Sequence, residues 1–406
     1  MAGVREYGAM RMFEEGVTIM KYITLNPIAQ AGLDTLPADF EKTENIEEAN
    51  AVLVRSASML DMEFSENLEA IGRAGAGVNN IPVERCADKG IVVFNTPGAN
   101  ANGVKELTVL GLILAARDAK GGMKWVDDNL DDENISKSME KAKSKFAGTE
   151  IQGKTLGVIG LGAIGVLVAN AAIGLKMKVI GYDPYISVHN ALMMSRSVEL
   201  TDNVDDIYAK ADYITIHVPQ NDATKGMINA YAIAKMKDGA ALLNFARDGL
   251  VVTADVKAAL ESGKLRKYVT DVPNHEIVNT VNVVAFPHLG ASTEESETNC
   301  AIMAAQELTD FLENGNITNS VNYPAVSLGK AEKPVRICVA HRNVPNVIST
   351  LTTLLGSAKA NISDMVSKSR GNYAWSMFDM DNDIKEATIE AIKAIPEVIR
   401  VKVIRN

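Results

Sequence analysis

The chain has 406 residues, 47% of them hydrophobic and 23% charged, with a formal net charge of −10. These values belong to an ordinary globular protein of two or three domains, each able to bury a core. They exclude a general binder of nucleic acid or anionic membrane, and the scattered Cys86, Cys300 and Cys338 read as thiols in a reducing compartment, with no metal expected.

Met1–Gly16 carries Arg5, Glu6, Arg11, Glu14 and Glu15 and no apolar h-region, so a loose extension is expected rather than a secretory signal. No apolar run approaches the roughly 18 residues of a membrane span, and a cytoplasmic protein is expected. From Val17 to Arg117, the runs TIMKYITL, AVLVRS, EAIGRAGAG and IVVFNTP read as strands leading into loops, in a βα rhythm that predicts a parallel sheet. Val104–Ala116 is apolar almost all round its helix, which predicts burial in a core or, preferably, against a second subunit. The rhythm resumes from Asp118 to His288, with strands predicted at Tyr213–Val218, Ala241–Phe245, Lys267–Val272 and Val281–Ala285 and helices at Val204–Lys210 and Thr253–Ser262. A helix over Ser292–Asn314 is expected to return the chain to its first domain, making the middle region an insertion. Val321–Lys333, with Pro324 and then Pro334, reads as a linker, and the remainder spells βαββαβ, a small ferredoxin-like domain.

Within the insertion, TLGVIGLGAIGVLVANAAIGLKMKVIGYDP sets Gly160-x-Gly162-x-x-Gly165 between a strand and a helix, with Asp183 closing the next strand. Gly160 permits the turn, Gly162 admits a pyrophosphate, and Gly165 lets helix and strand pack closely. Asp183 would hydrogen-bond a ribose 2′-hydroxyl and repel a 2′-phosphate, favouring NAD. Arg247 follows a predicted strand, where a guanidinium can grip a carboxylate. His288 lies where the chain crosses back to its first domain, and an imidazole there can take a hydroxyl proton. Glu276, between them, could orient that histidine; His275 is a rival base on residue type alone.

The motifs LLNFARDGLVV, TDVPNHE and FPHLGAST, in this order, resemble those of the D-isomer-specific 2-hydroxyacid dehydrogenases. VRSAS, GRAGAGVNNI and FNTPGANANGVKEL resemble the branch that oxidises 3-phospho-D-glycerate, in its shorter form without a spacer domain. VRICVAHRNVPNVIS and the later NIS resemble an ACT regulatory domain. The resemblance implies a flavodoxin-like substrate domain (17–117 and 289–325), an inserted Rossmann domain (118–288) and an ACT domain (334–406). It implies an NAD-dependent oxidoreductase of serine biosynthesis that assembles as a homodimer or homotetramer. Other 2-hydroxy acids (hydroxypyruvate, glyoxylate, D-lactate) and a non-catalytic NAD sensor are the alternatives.

By matching motif, Arg247 would bind and polarise substrate, Glu276 would support the histidine, and His288 would be the acid/base. Arg55, Arg73, Gly77, Val78 and Asn100 match the substrate side. Ala163, Ile164, His217, Pro219, Ala246, Asp271 and Gly290 join Gly160, Gly162, Gly165, Asp183 and His288 on the cofactor side. His341, Asn343 and Asn361 match positions that bind L-serine. Ala163 stands where the family often has Arg, which leaves the backbone cradle but removes a side-chain contact. Asn346 stands where the ACT turn commonly has Gly; Asn also tolerates left-handed backbone angles, so the turn is expected to survive.

Overall fold

Runs such as AVLV, YITI and AALLN, apolar at nearly every position, belong to strands covered on both faces. The computed structural model describes residues 19–406 and buries all three runs completely. The expected extension over residues 1–16, and Val17, lie outside the described residues. The first sheet is parallel, with β1 (Met20–Thr24), β2 (Phe40–Lys42), β3 (Ala51–Val54), β4 (Ala70–Arg73) and β5 (Val92–Asn95) in the order β2-β1-β3-β4-β5. This is the flavodoxin-like order. Val52, Val54, Leu68, Ile71 and Val93 fill its core.

The second sheet has seven parallel strands: β6 (Thr155–Ile159), β7 (Lys178–Tyr182), β8 (Val198–Thr201), β9 (Tyr213–Ile216), β10 (Ala240–Asn244), β11 (Leu265–Thr270) and β12 (Val283–Ala285). Their order is β12-β11-β10-β9-β6-β7-β8, so β6 is flanked by β7 and β9 and the winding reverses there. That reversal is the Rossmann switch point, where ligands bind beyond the carboxyl ends of the strands. The third sheet is antiparallel, β14 (Ile362–Arg370), β15 (Tyr373–Met380), β13 (Val335–Arg342) and β16 (Val398–Arg405) side by side. Helices Val347–Ser357 and Glu386–Lys393 complete βαββαβ and bury Leu351, Leu355, Ile389 and Ile392 against it.

Contacts divide the chain into two units, one holding the described residues through Thr96 together with Thr298–Asn406, the other Pro97–Glu297. The boundaries therefore differ from those expected at 117/118 and 288/289. Helix Ala101–Ala116 belongs to the second unit because it packs on that sheet: a Cβ at Gly111 would stand 2.7 Å from the Phe245 ring. Burial is one-sided, since Leu110 and Ile113 remain exposed. The expected linker is also more ordered than its composition implies. Ile317 and Val326 form an antiparallel bridge, and the carbonyls of Leu328, Gly329 and Lys330 all accept from the Arg336 guanidinium.

Candidate active site

In the second unit the glycine loop leaves β6 with Gly160 at φ +92°, and a Cβ there would lie 2.6 Å from the His217 carbonyl oxygen. Gly165 is tighter still, its Cβ position 1.9 Å from the Gly160 carbonyl oxygen. Gly162 is the opposite case, with nothing within 4 Å of where its Cβ would be. The first two glycines are demanded by the protein's own backbone; the third is left open for something else. Helix Ala163–Gly174 starts here, and its first internal bond runs from the Val166 N–H to the Gly162 carbonyl at 3.1 Å. The amides of Ala163, Ile164 and Gly165 thus form the electropositive helix start. Asp183, past the end of β7, accepts from the Leu161 and Tyr185 N–H groups, both at 2.8 Å, so its carboxylate is held beside the loop. An open backbone approach, a free helix start and an oriented acid fit a dinucleotide.

The same carboxyl edge carries the polar side chains. Asn244, fully buried at the end of β10, accepts from the Ala246 N–H at 3.1 Å and donates to the Arg247 carbonyl at 2.8 Å, fixing the turn that presents exposed Arg247. Asp271 follows β11 and is 2% exposed. One carboxylate oxygen accepts from the Gly290 N–H at 2.9 Å; the other is buried with no partner. Burial raises its pKa, and the Gly290 N–H and the charges of His288 and Arg247 partly oppose that. The His288 N–H donates to the Asp271 carbonyl at 2.8 Å, with His288 itself at φ +52°, a backbone angle that few non-glycine residues adopt. Arg247, Asp271 and His288 are therefore neighbours. His217, after β9, bonds Thr215 Oγ1 through Nε2 at 2.9 Å, and burial pushes its pKa down to about 3, keeping it neutral. Pro219 follows it on the same edge, and Ala246 precedes Arg247.

Glu276 is placed differently from the expectation. Its side chain is exposed and lines a groove of about 530 Å³ with Lys257, Glu261 and Asn279. Among the described residues it makes no hydrogen bond or ion pair with His288; Asn274, which accepts from the Ile277 N–H at 3.1 Å and donates to Thr253 Oγ1 at 2.8 Å, pins that segment to the helix beside it. His275 is exposed beside it.

The first unit gathers its own group at the carboxyl ends of β3 and β4. Asn26 Oδ1 accepts from the N–H groups of Arg55, Ser56 and Ala57 at 2.8–3.1 Å and so shapes the loop that carries Arg55. The Arg73 guanidinium lies over Gly75, where φ is +143° and a Cβ would stand 1.6 Å from Nη1. Gly77 and Val78 follow in the same turn, which Asn95 Nδ2 holds by donating to the Ala76 carbonyl at 2.6 Å. Asn100 falls in the second unit, capping helix Ala101–Ala116 without a side-chain hydrogen bond. Asn26 carries no sequence signal because it acts on backbone far along the chain, whereas Gly75 and Asn95 lie inside the motifs GRAGAGVNNI and FNTPGANANGVKEL without their packing roles being apparent from residue type. Asn244 lay inside a quoted motif, and its polarity at the end of an apolar strand was the available signal.

In the third sheet, His341 is buried, its Nδ1 donating to the Arg342 carbonyl and its Nε2 accepting from Ser376 Oγ, both at 2.8 Å. Burial lowers its pKa. Asn343 donates to the Gly371 carbonyl at the β14–β15 turn, whereas Asn361 precedes β14 and donates to Asp381 at the other end. One copy of the domain does not bring the three together: the strand between them spans roughly 25 Å at about 3.3 Å per residue. Asn346 has φ +70°, so the turn keeps its left-handed geometry without glycine.

The fold and the open glycine cradle define an α/β protein of the dinucleotide-binding class. Residues 112–290 match the model for the D-isomer specific 2-hydroxyacid dehydrogenase, NAD binding domain. The chain is 39% identical over 303 residues to a D-3-phosphoglycerate dehydrogenase of Methanocaldococcus jannaschii, covering 71% of this chain and 55% of that one. It is 32% identical over 375 residues to D-3-phosphoglycerate dehydrogenase 2 of Saccharomyces cerevisiae, covering 86% and 76%. The NAD+-bound 3-phosphoglycerate dehydrogenase of Entamoeba histolytica superposes with a TM-score of 0.58 at 27% identity, over 75% of this chain and 99% of that one. This chain belongs to the D-isomer specific 2-hydroxyacid dehydrogenase family, and its second unit contains the family's NAD-binding domain. It spans 55–60% of the length of the first three curated relatives it matches.

Proposed function

We propose that the chain oxidises 3-phospho-D-glycerate to 3-phosphohydroxypyruvate with NAD, the entry step of serine biosynthesis. The observation that carries this is the meeting of Arg247, Asp271 and His288 on the sheet edge that also bears the glycine cradle. NAD supplies the hydride acceptor when bound. Arg247 binds the substrate carboxylate and polarises the reacting oxygen, and His288 takes the C2 hydroxyl proton. The buried Asp271 keeps His288 in place through its backbone carbonyl and adds negative charge beside it. Glu276 is the proposed partner of the imidazole, which requires the 272–280 segment to swing from the groove beside Lys257. Arg55 and Arg73 would balance the phosphate or carboxylate charge of the substrate, with Gly77, Val78 and Asn100 shaping its surroundings.

We infer further a homo-oligomer, with exposed Leu110 and Ile113 at its interface, and a C-terminal ACT regulatory domain responsive to L-serine. His341 and Asn343 stand at one end of the third sheet and Asn361 at the other, so a serine site using all three draws Asn361 from a second copy. The deciding experiment follows NADH formation from 3-phosphoglycerate and NAD. Turnover of D-lactate, or of glyoxylate or hydroxypyruvate with NADH, but not of 3-phosphoglycerate, would redirect the substrate assignment. NAD binding without turnover of any 2-hydroxy acid would make the chain a sensor. A serine titration that moves neither rate nor melting temperature removes the feedback reading.

A further inference from the structure

Helix Glu294–Asn314 turns a nearly unbroken apolar face to the first unit, with Ala301, Ala304, Ala305, Leu308, Phe311 and Leu312 all buried. Glu307 interrupts it. The residue is only 8% exposed, and among the described residues no cation offsets the burial of its carboxyl group. One oxygen accepts from Asn319 Nδ2 at 2.6 Å, and the other is buried without a partner. A carboxyl group taken out of water for one hydrogen bond is unfavourable, so its retention calls for a task.

The hydrogen bonds leaving Asn319 point to that task. Its backbone carbonyl accepts from the Asn95 N–H at 3.2 Å, at the end of β5. The Asn95 side chain donates at 2.6 Å to the Ala76 carbonyl, and the next residue, Thr96, donates its N–H to the Gly75 carbonyl at 3.1 Å. Three hydrogen bonds thus connect Glu307 to the turn carrying Gly77 and Val78, beside the Arg73 guanidinium.

We propose that Glu307 is a positioning residue for the substrate side of the enzyme, holding the 75–78 turn in register through Asn319 and Asn95. Its effect is transmitted through backbone groups, with no contact to the reacting atoms. The proposal rests on the function assigned above, because Gly77 and Val78 matter to turnover only if that turn meets substrate.

The test combines kinetics with hydrogen exchange. Glu307→Ala and Asn319→Ala should each raise KM for 3-phosphoglycerate by about tenfold, the equivalent of one lost hydrogen bond, with KM for NAD changed less than about twofold. The double variant should be no worse than either single change, since both break one chain. Glu307→Gln, whose carbonyl can still accept from Asn319, should restore KM to within about twofold. Amides of residues 76–81 should exchange faster in Glu307→Ala and at the wild-type rate in Glu307→Gln. Asn95→Ala, at a half-buried position, breaks the chain without opening the helix contact and should match Glu307→Ala. Unchanged exchange at 76–81 in Asn95→Ala and Glu307→Ala would overturn the proposal, as would Glu307→Gln behaving like alanine. Exchange needs no substrate, so it decides the positioning role even if 3-phosphoglycerate is not turned over.

Discussion

The second and third sheets treat polar side chains in opposite ways. At the carboxyl edge of the second sheet, polar capacity is left open. Asp271 keeps one oxygen buried and unpaired, His217 Nδ1 likewise, and His288 presents an exposed imidazole from a left-handed backbone. In the third sheet, polar groups answer one another. Arg336, 1% exposed, bonds both oxygens of Asp379 at 2.6 and 2.7 Å and the carbonyls of Asn314 and Gly329 at 2.9 and 2.7 Å. His341, Ser376 and Ser367 form a hydrogen-bonded chain across three strands, and among the described residues Trp375 Nε1 is the one buried side-chain polar atom of this sheet without a partner. Unsatisfied groups cost stability and are kept where a ligand can complete them; satisfied ones cross-link the fold.

Breaking each side of that contrast should affect different observables. The largest effect is expected from His288→Ala: a kcat loss of about 10²–10⁴-fold, the usual contribution of a general acid or base, with NADH affinity and melting temperature preserved. Undiminished turnover would sink the assignment. Arg336→Met should act on stability instead. It strands Asp379 in the interior, at a cost of about 3–5 kcal/mol in urea unfolding, with kcat per folded molecule unchanged.

Glu307 allows the contrast to be followed by pH. Burial pushes its carboxyl up to about 7, above its unfolded value near 4.5, so the folded state favours the protonated form. The associated stability is fully present below about pH 4.5 and is lost as pH rises through about 7, on the order of 3 kcal/mol in all. Glu307→Gln should flatten that slope in unfolding measured across pH 4.5–8; an identical slope would remove Glu307 as its source. The smallest effect is expected at Asn346. With φ at +70°, Asn346→Gly should be neutral or slightly stabilising, while Asn346→Val should lose roughly 1–2 kcal/mol by thermal unfolding.

What was legible in the sequence was local. The glycine cradle and Asp183 are encoded within one strand–turn–helix–strand segment, with Gly160 and Gly165 answering backbone atoms and Gly162 left open, and the buried strands announce themselves by composition. The helices Ala119–Asp127 and Ile135–Ala142 were missed, the first because Gly121-Gly122 interrupts a helical reading. Strand Phe40–Lys42 has one apolar residue in three and exists only because β1 pairs with it. The sequence left the place of helix Ala101–Ala116 open for a related reason: an apolar helix does not declare which sheet it will cover, and here Gly111 packs against Phe245. Glu307 was visible as a lone acid on an apolar helical face, but its partner Asn319 lies in a loop with no pattern of its own.

The grip of Arg336 on the 328–330 carbonyls has a practical consequence. A segment rich in small and turn-forming residues would ordinarily be where a protease separates one domain from the next, since cleavage needs several residues of backbone to unfold into the enzyme's groove. Here those carbonyls are clamped to a buried guanidinium that is itself part of the third sheet. Limited digestion should therefore leave the C-terminal sheet attached to the rest of the chain, and an expression boundary drawn at residue 334 would cut through a fastening.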